Sequence, residues 1–150
     1  MISTKLIQLI QDDWEEIAAR VIRAIRRHPD LENLAKRSDL DLREWCREIL
    51  EQIGVLMSAR KSEDVQRRFE ILGRIRFEEQ IPLHEAVLRL HILKDEIVGF
   101  IHERGLPMTA IQLYAEEELE LRIGRFLDEG VYRVVRGYEK ALRLEQRVAS

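Results

Sequence analysis

Three histidines in one segment are the first side chains whose type and spacing could do chemistry. At 100° per residue, His84, His91 and His102 fall within about 20° of one another on a helix, so they form a single line. The helical rise separates successive members by about 10 and 16 Å, whereas the ligands of one metal ion lie about 2 Å from it. No Glu-x-x-His or His-Glu-x-x-His motif occurs either. We therefore expect no metal site.

The segment around His91 supports a second kind of chemistry. His91-Ile92-Leu93-Lys94 resembles the core of histidine phosphotransfer domains, which are four-helix bundles with an exposed phosphorylatable histidine. The next position is usually glycine in those domains, whereas this chain has Asp95, whose charge would repel a phosphoryl group. Phosphorylation of His91 is therefore an alternative hypothesis. The simpler interpretation is that His91 hydrogen-bonds to Asp95 one helical turn later.

A basic residue interrupts an apolar stripe in the preceding segment. Arg76 takes the next helical position after Phe69 and Leu72, where an apolar side chain is expected. A buried cation needs a partner, because an unpaired buried charge is strongly destabilising. Lys94 likewise falls on the more apolar face of its helix. We predict that Arg76 and Lys94 face an anion-binding pocket between their helices, with His91 as a third ligand-binding candidate; the alternative is a solvated Arg76 at the edge of the core.

The elements that must position these side chains are helices. Apolar residues recur at steps of three and four, Pro29 ends the first such stripe, and Pro82 opens the fourth. Ser38 suits a helix N-cap, and Thr109 with Gln112 forms a capping box. The sequence predicts a single all-α domain, 1–150, of five helices without a strand, near 4–28, 39–58, 63–80, 82–104 and 110–148. The predicted core is Trp14, Ile17, Val21, Trp45, Ile49, Ile53, Phe69, Leu72, Leu90, Ile97, Ile101, Ile123 and Phe126.

The last predicted helix is long for so small a protein. About 39 residues would span about 58 Å, and Gly124, Gly130 and Gly137 are its candidate break points. Either the helix bends near 128–130 and folds back, or it runs on and packs against a partner chain; apolar spacing that continues across Gly130 favours the second. We expect a homodimer in which the glycines let two backbones approach. The predicted interface residues are Val131, Val134, Val135, Tyr138 and Leu142.

Composition excludes several functions. With 25 Lys and Arg against 28 Asp and Glu, the net charge is 25 − 28 = −3, which gives no electrostatic drive toward nucleic acid. No apolar stretch is long enough to cross a membrane, and the single cysteine, Cys46, suits a reducing compartment. No phosphate-binding loop or Ser/His/Asp arrangement occurs. We expect a cytoplasmic, non-catalytic protein without a cofactor.

Two short runs carry a resemblance to a known family. Leu72-Gly73-Arg74-Ile75-Arg76, followed by Pro82, Ala86 and Leu93-Lys94-Asp95-Glu96-Ile97, resembles the N-terminal sensor domain of the RsbR and RsbRD type. This resemblance implies a globin-like, dimeric helical input domain of bacterial signalling, which acts on a signalling output protein or domain. Globin-like sensors include haem-binding members, so His84, His91 and His102 are candidate axial ligands. An aromatic content of 6% argues against a haem pocket.

Overall fold

A computed structural model describes residues 2–56, 62–105 and 107–149, and the described residues contain helices and no strand. The all-α prediction is confirmed, and the arrangement is compatible with a globin-like bundle. The predicted end of the second helix, at 58, lies outside the described residues. In chain order the helices are α1 (Ile2–Asp12), α2 (Trp14–Arg27), α3 (Asp39–Leu56), α4 (Ser62–Glu78), α5 (Leu83–Gly105) and α6 (Ala110–Ala149), with a 3-10 turn at Leu34–Lys36.

The prediction of one helix over 4–28 is wrong, because the helix is interrupted at Asp13. This residue has φ −100° and ψ 25°, and its carbonyl accepts hydrogen bonds from the amides of Glu16 and Ile17 in the first turn of α2. Aspartate is a poor residue for a helix interior, because its short side chain competes for backbone hydrogen bonds. Its carboxylate instead pairs with Arg104 of α5 at 3.3 Å. Asp12 thus ends α1, and Asp13 separates it from α2.

Two predicted helix starts are confirmed by their caps. The Ser38 hydroxyl accepts a hydrogen bond from the Asp41 amide at 3.1 Å. The Thr109 hydroxyl accepts one from the Gln112 amide at 3.1 Å, and the Gln112 side chain accepts one from the Met108 amide at 2.7 Å. These bonds satisfy amides that an open helix end leaves without partners. They fix where α3 and α6 begin.

One hydrophobic core joins all six helices. Every residue predicted for it is buried except Trp14, which is partly exposed and packs against it. The helices α1, α2 and α3 pack together, and α5 lies between this group and α6. Most of the contact of α4 is with α6. In this arrangement α3, the end of α4 and the start of α5 surround one polar cleft.

The last helix is continuous from Ala110 to Ala149, so the prediction that it runs on without a break is confirmed. It crosses α4 at a pair of glycines, Gly73 and Gly137. A methyl group added to Gly73 would overlap the carbonyl oxygen of Val134, and one added to Gly137 would overlap that of Glu70. The close backbone approach expected at Gly137 therefore occurs within one chain, between α4 and α6.

This packing corrects part of the dimer argument. The predicted interface stripe was expected to stay wet in a monomer, but Val134 is buried and the Tyr138 hydroxyl donates a hydrogen bond to the Ile81 carbonyl at 2.9 Å. Val131 and Val135 are half-buried, and Leu142 is exposed. Val134, Tyr138 and Val131, which packs against the core, thus belong to the packing of a single chain. The homodimer itself stays a prediction.

None of the helices described has the length and apolar character that crossing a lipid bilayer requires.

Candidate ligand pocket

A polar cleft of about 360 Å³ lies between α3, the end of α4, the α4–α5 turn and the first half of α5. We call it the arginine pocket. Its apolar wall consists of Leu42, Trp45 and Ile81. Its charged lining consists of Arg37, Arg47, Arg68, Arg76 and Arg89 together with Asp41, Glu44, Glu48, Glu51 and Glu79. Ten charged side chains around one cleft make it the strongest candidate for a ligand site in the described part of the chain.

Arg89 is the deepest charge in the arginine pocket. It is 3% exposed, and its guanidinium carbon lies 4.0 Å from the centre of the Trp45 ring. No hydrogen bond or ion pair joins it to a described residue, and its Nε is fully enclosed without a partner. Burial, followed by the charge of Arg76, lowers the pKa of Arg89 to about 9. The side chain is therefore a buried cation at neutral pH: the Trp45 ring lies against it, and the charge of Glu79 acts on it without forming an ion pair.

Arg76 lines the same cleft from the last turn of α4. Its side chain is 13% exposed and lies 3.4 Å from Glu79, while its Nε is enclosed without a partner. Burial lowers the pKa of Arg76, and the charges of Glu79 and Glu48 oppose that change. The acid that pairs with Arg76 is thus Glu79, three residues later in the chain. The cleft that Arg76 faces includes α3 as well as the two helices expected to form it.

The other two predicted ligand-binding residues lie elsewhere. The Lys94 ammonium is 3.5 Å from Asp128 of α6, and its side chain packs against Gly124. His91 is exposed on α5, as are His84 and His102. Neither His91 nor Lys94 lines the arginine pocket. The structure therefore does not bring the three predicted residues together, and a binding role for His91 or Lys94 stays a prediction.

Sequence reasoning missed Arg89, although a signal was present. Its position on α5 shares the helical face of Leu93 and Phe100, both buried. A cation on that face meets the same argument that singled out Arg76. Trp45 was predicted as a core residue, and it is buried, but its ring also supports the Arg89 guanidinium.

A fully buried carboxylate, Glu85, holds the loop beside the pocket. Its oxygens accept hydrogen bonds from the Asn33 amide at 3.0 Å, the Leu34 amide at 2.9 Å and the Asn33 side-chain amide. These donors open the 3-10 turn Leu34–Lys36, and Arg37 follows it directly. Glu85 therefore sets the position from which Arg37 reaches the cleft.

A second group of side chains has the composition of a metal site. One possible ligand atom from each of His102, Glu116 and Glu120 lies within 4.8 Å of the others, and His102 Nε2 is 3.0 Å from Glu120 Oε1. Burial raises the pKa of the Glu120 carboxyl, and the His102 charge opposes that change. Imidazole and carboxylate ligands suit a divalent cation such as zinc. The sequence search compared histidines along one helix, so it did not pair His102 of α5 with carboxylates of α6.

The helical bundle, its polar pocket and its long last helix define a class, the all-α domain with a long C-terminal helix. Over residues 15–149 the chain matches the family described as the RsbT co-antagonist protein RsbRD N-terminal domain, and it belongs to that family. The resemblance seen in the sequence is thereby confirmed, and the family is one of regulatory domains in stress signalling. No curated protein and no solved structure matches the chain significantly.

Proposed function

We propose that this chain is a cytoplasmic, non-catalytic input domain of bacterial stress signalling that acts as a homodimer on an output protein or domain. The observation that carries the proposal is the exposed apolar surface of α6. This helix bears exposed large apolar side chains along most of its length: Ile111, Leu113, Tyr114, Leu121, Tyr132, Leu142, Leu144 and Val148. Exposed apolar surface of this extent is typical of a protein interface.

Part of this surface forms a row. Tyr114, Leu121 and Tyr132 are separated by seven and eleven residues, which return to the same face of a helix. Their exposed fractions are 75%, 54% and 46%. Glu118 and Arg136 flank the row with opposite charges, so an antiparallel second copy can place each beside its counterpart. These features support a second copy of the chain as the first partner of α6.

The test is the mass of the protein in solution, measured by light scattering. We expect a dimer for the wild type and folded monomers for the double variant Leu121→Glu, Tyr132→Glu, because in the antiparallel pair each new carboxylate would face a new carboxylate of the second copy. The matched control is Leu40→Glu, which changes an exposed apolar residue of α3 and should remain dimeric. A wild type that is monomeric at tens of micromolar would overturn the homodimer.

The exposed side chain of His91 favours a second candidate function, phosphotransfer. A phosphorylated histidine must be reachable by its donor, and His91 meets that requirement. Incubation with a phosphorylated receiver domain would give an acid-labile label that is absent from a His91→Gln variant. That result would replace the non-catalytic proposal, and a chain that stays unlabelled would retain it.

A further inference from the structure

The arginine pocket contains a charge that the chain does not neutralise. Arg89 is 3% exposed, its Nε is enclosed without a partner, and no described carboxylate pairs with it. The buried acid of the same helix, Glu85, has three N–H donors. The fold therefore provides hydrogen-bond partners for the buried charge of Glu85 and leaves the buried charge of Arg89, which lines the cleft, without an ion pair. An uncompensated buried charge of this kind points to a counter-ion supplied from outside.

Like charges surround this group. Arg76 and Arg37 line the same cleft, and their charges disfavour the protonated form of Arg89. The Nε of Arg76 is also enclosed without a partner. Three guanidinium groups that repel one another would each be stabilised by a shared anion. Their planar N–H donors match the two oxygens of a carboxylate or the oxygens of a phosphate.

Four of the five acids of the pocket are paired with other arginines, and the fifth, Asp41, is exposed. Glu79 lies 3.7 Å from Arg37 and 3.4 Å from Arg76. Glu48 lies 3.8 Å from Arg68. Glu44 lies 2.9 Å from Arg47, and Glu51 lies 4.0 Å from it. These carboxylates are a third or more exposed, and none of them forms an ion pair with Arg89.

We infer that the arginine pocket binds a small oxyanion, a carboxylate or a phosphate, on the guanidinium groups of Arg89, Arg76 and Arg37. Trp45 lies against Arg89, and Leu42 and Ile81 complete an apolar wall. This wall can pack against the carbon skeleton of an organic acid. The cleft, at about 360 Å³, has room for such a carbon skeleton beside the anionic group. The inference that this site receives the input of a signalling domain rests on the proposed function. The inference that it binds an oxyanion does not.

Binding is measured on the full chain with two probes, inorganic phosphate and acetate, each titrated into buffer of constant ionic strength. The first readout is the thermal unfolding temperature. We expect a saturable rise for the wild type with at least one probe, and the probe with the larger effect identifies the head group. In Arg89→Met the rise should be lost, with an affinity at least tenfold weaker. Arg143→Met, an exposed change on α6, should behave as the wild type does.

Tryptophan fluorescence supplies a readout that does not depend on unfolding. The protein has two tryptophans, so Trp14→Phe isolates the signal of Trp45 beside Arg89. We expect a saturable change in that signal with the same affinity as the thermal shift. Arg76→Gln, which keeps Arg89, should weaken binding less than Arg89→Met does.

Two results would overturn the inference. One is a wild type that responds to neither probe up to high millimolar concentration. The other is an equal response in Arg89→Met, which would show nonspecific salt stabilisation. Binding that persists in the monomeric variant Leu121→Glu, Tyr132→Glu would separate the site from the homodimer, so the two proposals can fail independently.

Discussion

The Tyr138 hydroxyl donates a 2.9 Å hydrogen bond to the carbonyl of Ile81, whose side chain lines the arginine pocket. Ile81 follows Gln80, a non-glycine residue with a φ of 61° in the turn between α4 and α5. Phe77, just before that turn, meets the Tyr138 ring edge-on at 5.3 Å. Burial raises the pKa of Tyr138, so its hydroxyl stays a donor. A single residue of α6 thus holds the turn that forms one wall of the pocket.

Replacing Tyr138 with phenylalanine removes this hydrogen bond and keeps the ring contact. We expect Tyr138→Phe to lower the free energy of unfolding by about 1 kcal/mol, because the Ile81 carbonyl loses its partner from α6. Urea denaturation measures the change. The control is Tyr114→Phe, which alters a 75% exposed hydroxyl and should have no effect. Equal stability of both variants would mean that the bond contributes nothing.

The glycine crossing gives a prediction with an internal control. Gly137→Ala should destabilise the fold by about 1–3 kcal/mol, although alanine favours a helix, because the new methyl group overlaps the Glu70 backbone. Gly99→Ala places its methyl group in open space on α5 and should stabilise the protein by about 0.5–1 kcal/mol. Thermal or urea unfolding of the two variants should therefore give changes of opposite sign. A stabilised Gly137→Ala would contradict the close crossing.

Removing the buried charge of Arg89 should stabilise the protein in anion-free buffer. We expect Arg89→Met to raise the free energy of unfolding by about 1–4 kcal/mol near pH 7, because methionine fills the space without a desolvated cation. The lost stacking on Trp45 reduces this gain. Urea titrations of both proteins measure it. A destabilised variant in such buffer would show that Arg89 is already compensated.

The same pair of proteins has a predicted pH dependence. The pKa of Arg89 is about 9 in the fold, well below that of the free side chain; burial, Arg76 and Arg37 lower it, and Cys46 and Glu79 raise it. Above about pH 9 the unfolded wild type therefore holds one more proton than the folded one, so its stability rises relative to Arg89→Met. The advantage of the variant should shrink by up to about 1.4 kcal/mol per pH unit. A difference independent of pH up to about pH 11 would contradict the lowered pKa.

The buried carboxylate of Glu85 should be more important for stability than any exposed acid. We expect Glu85→Ala to cost about 3 kcal/mol, since two backbone amides and a side-chain amide lose their acceptor in a buried site. Glu145→Ala, at an exposed position of α6, is the control and should stay close to the wild type. Urea denaturation compares them.

Cys46 should be unreactive in the folded protein. The thiol is fully buried, and burial raises its pKa to about 12. Since the thiolate is the reactive form, a disulfide reagent at about pH 8 should label the thiol only after unfolding in denaturant. Rapid labelling of the native protein would contradict this burial.

Local signals in the sequence predicted most of the helices and the core. Capping residues at Ser38 and Thr109 and the apolar stripes depend on neighbours along the chain, and the structure confirms both. The break at Asp13 was missed, because the apolar stripe continues through it while an ion pair to Arg104 stabilises the turn. Contacts of this kind join distant parts of the chain, and residue spacing does not encode them.

The pocket was predictable only in part for the same reason. Arg76 was found because it interrupts a stripe, but its companions Arg89 and Arg37 come from other elements. The glycines of α6 suggested a close approach of backbones without specifying the second backbone. It is α4 of the same chain, and this assignment required the tertiary structure.

The crossing at Gly73 and Gly137 fixes α6 against α4 at one point along its length. Sliding along α4 by one residue would force a side chain into the space of a backbone carbonyl, so the crossing fixes the register of the two helices. About 40 Å of helix lies on the N-terminal side of Gly137 and about 18 Å on the other. The longer, N-terminal part is held in the core by Leu119, Ile123 and Leu127, whereas the shorter part is exposed from residue 142 onward, so a bend of about 10° at the crossing would move its end by about 3 Å. Tyr138 lies next to this crossing and bonds to the pocket wall, so a small shift of the wall would act on α6 at the point where a change of angle gives the largest displacement at the end of the helix.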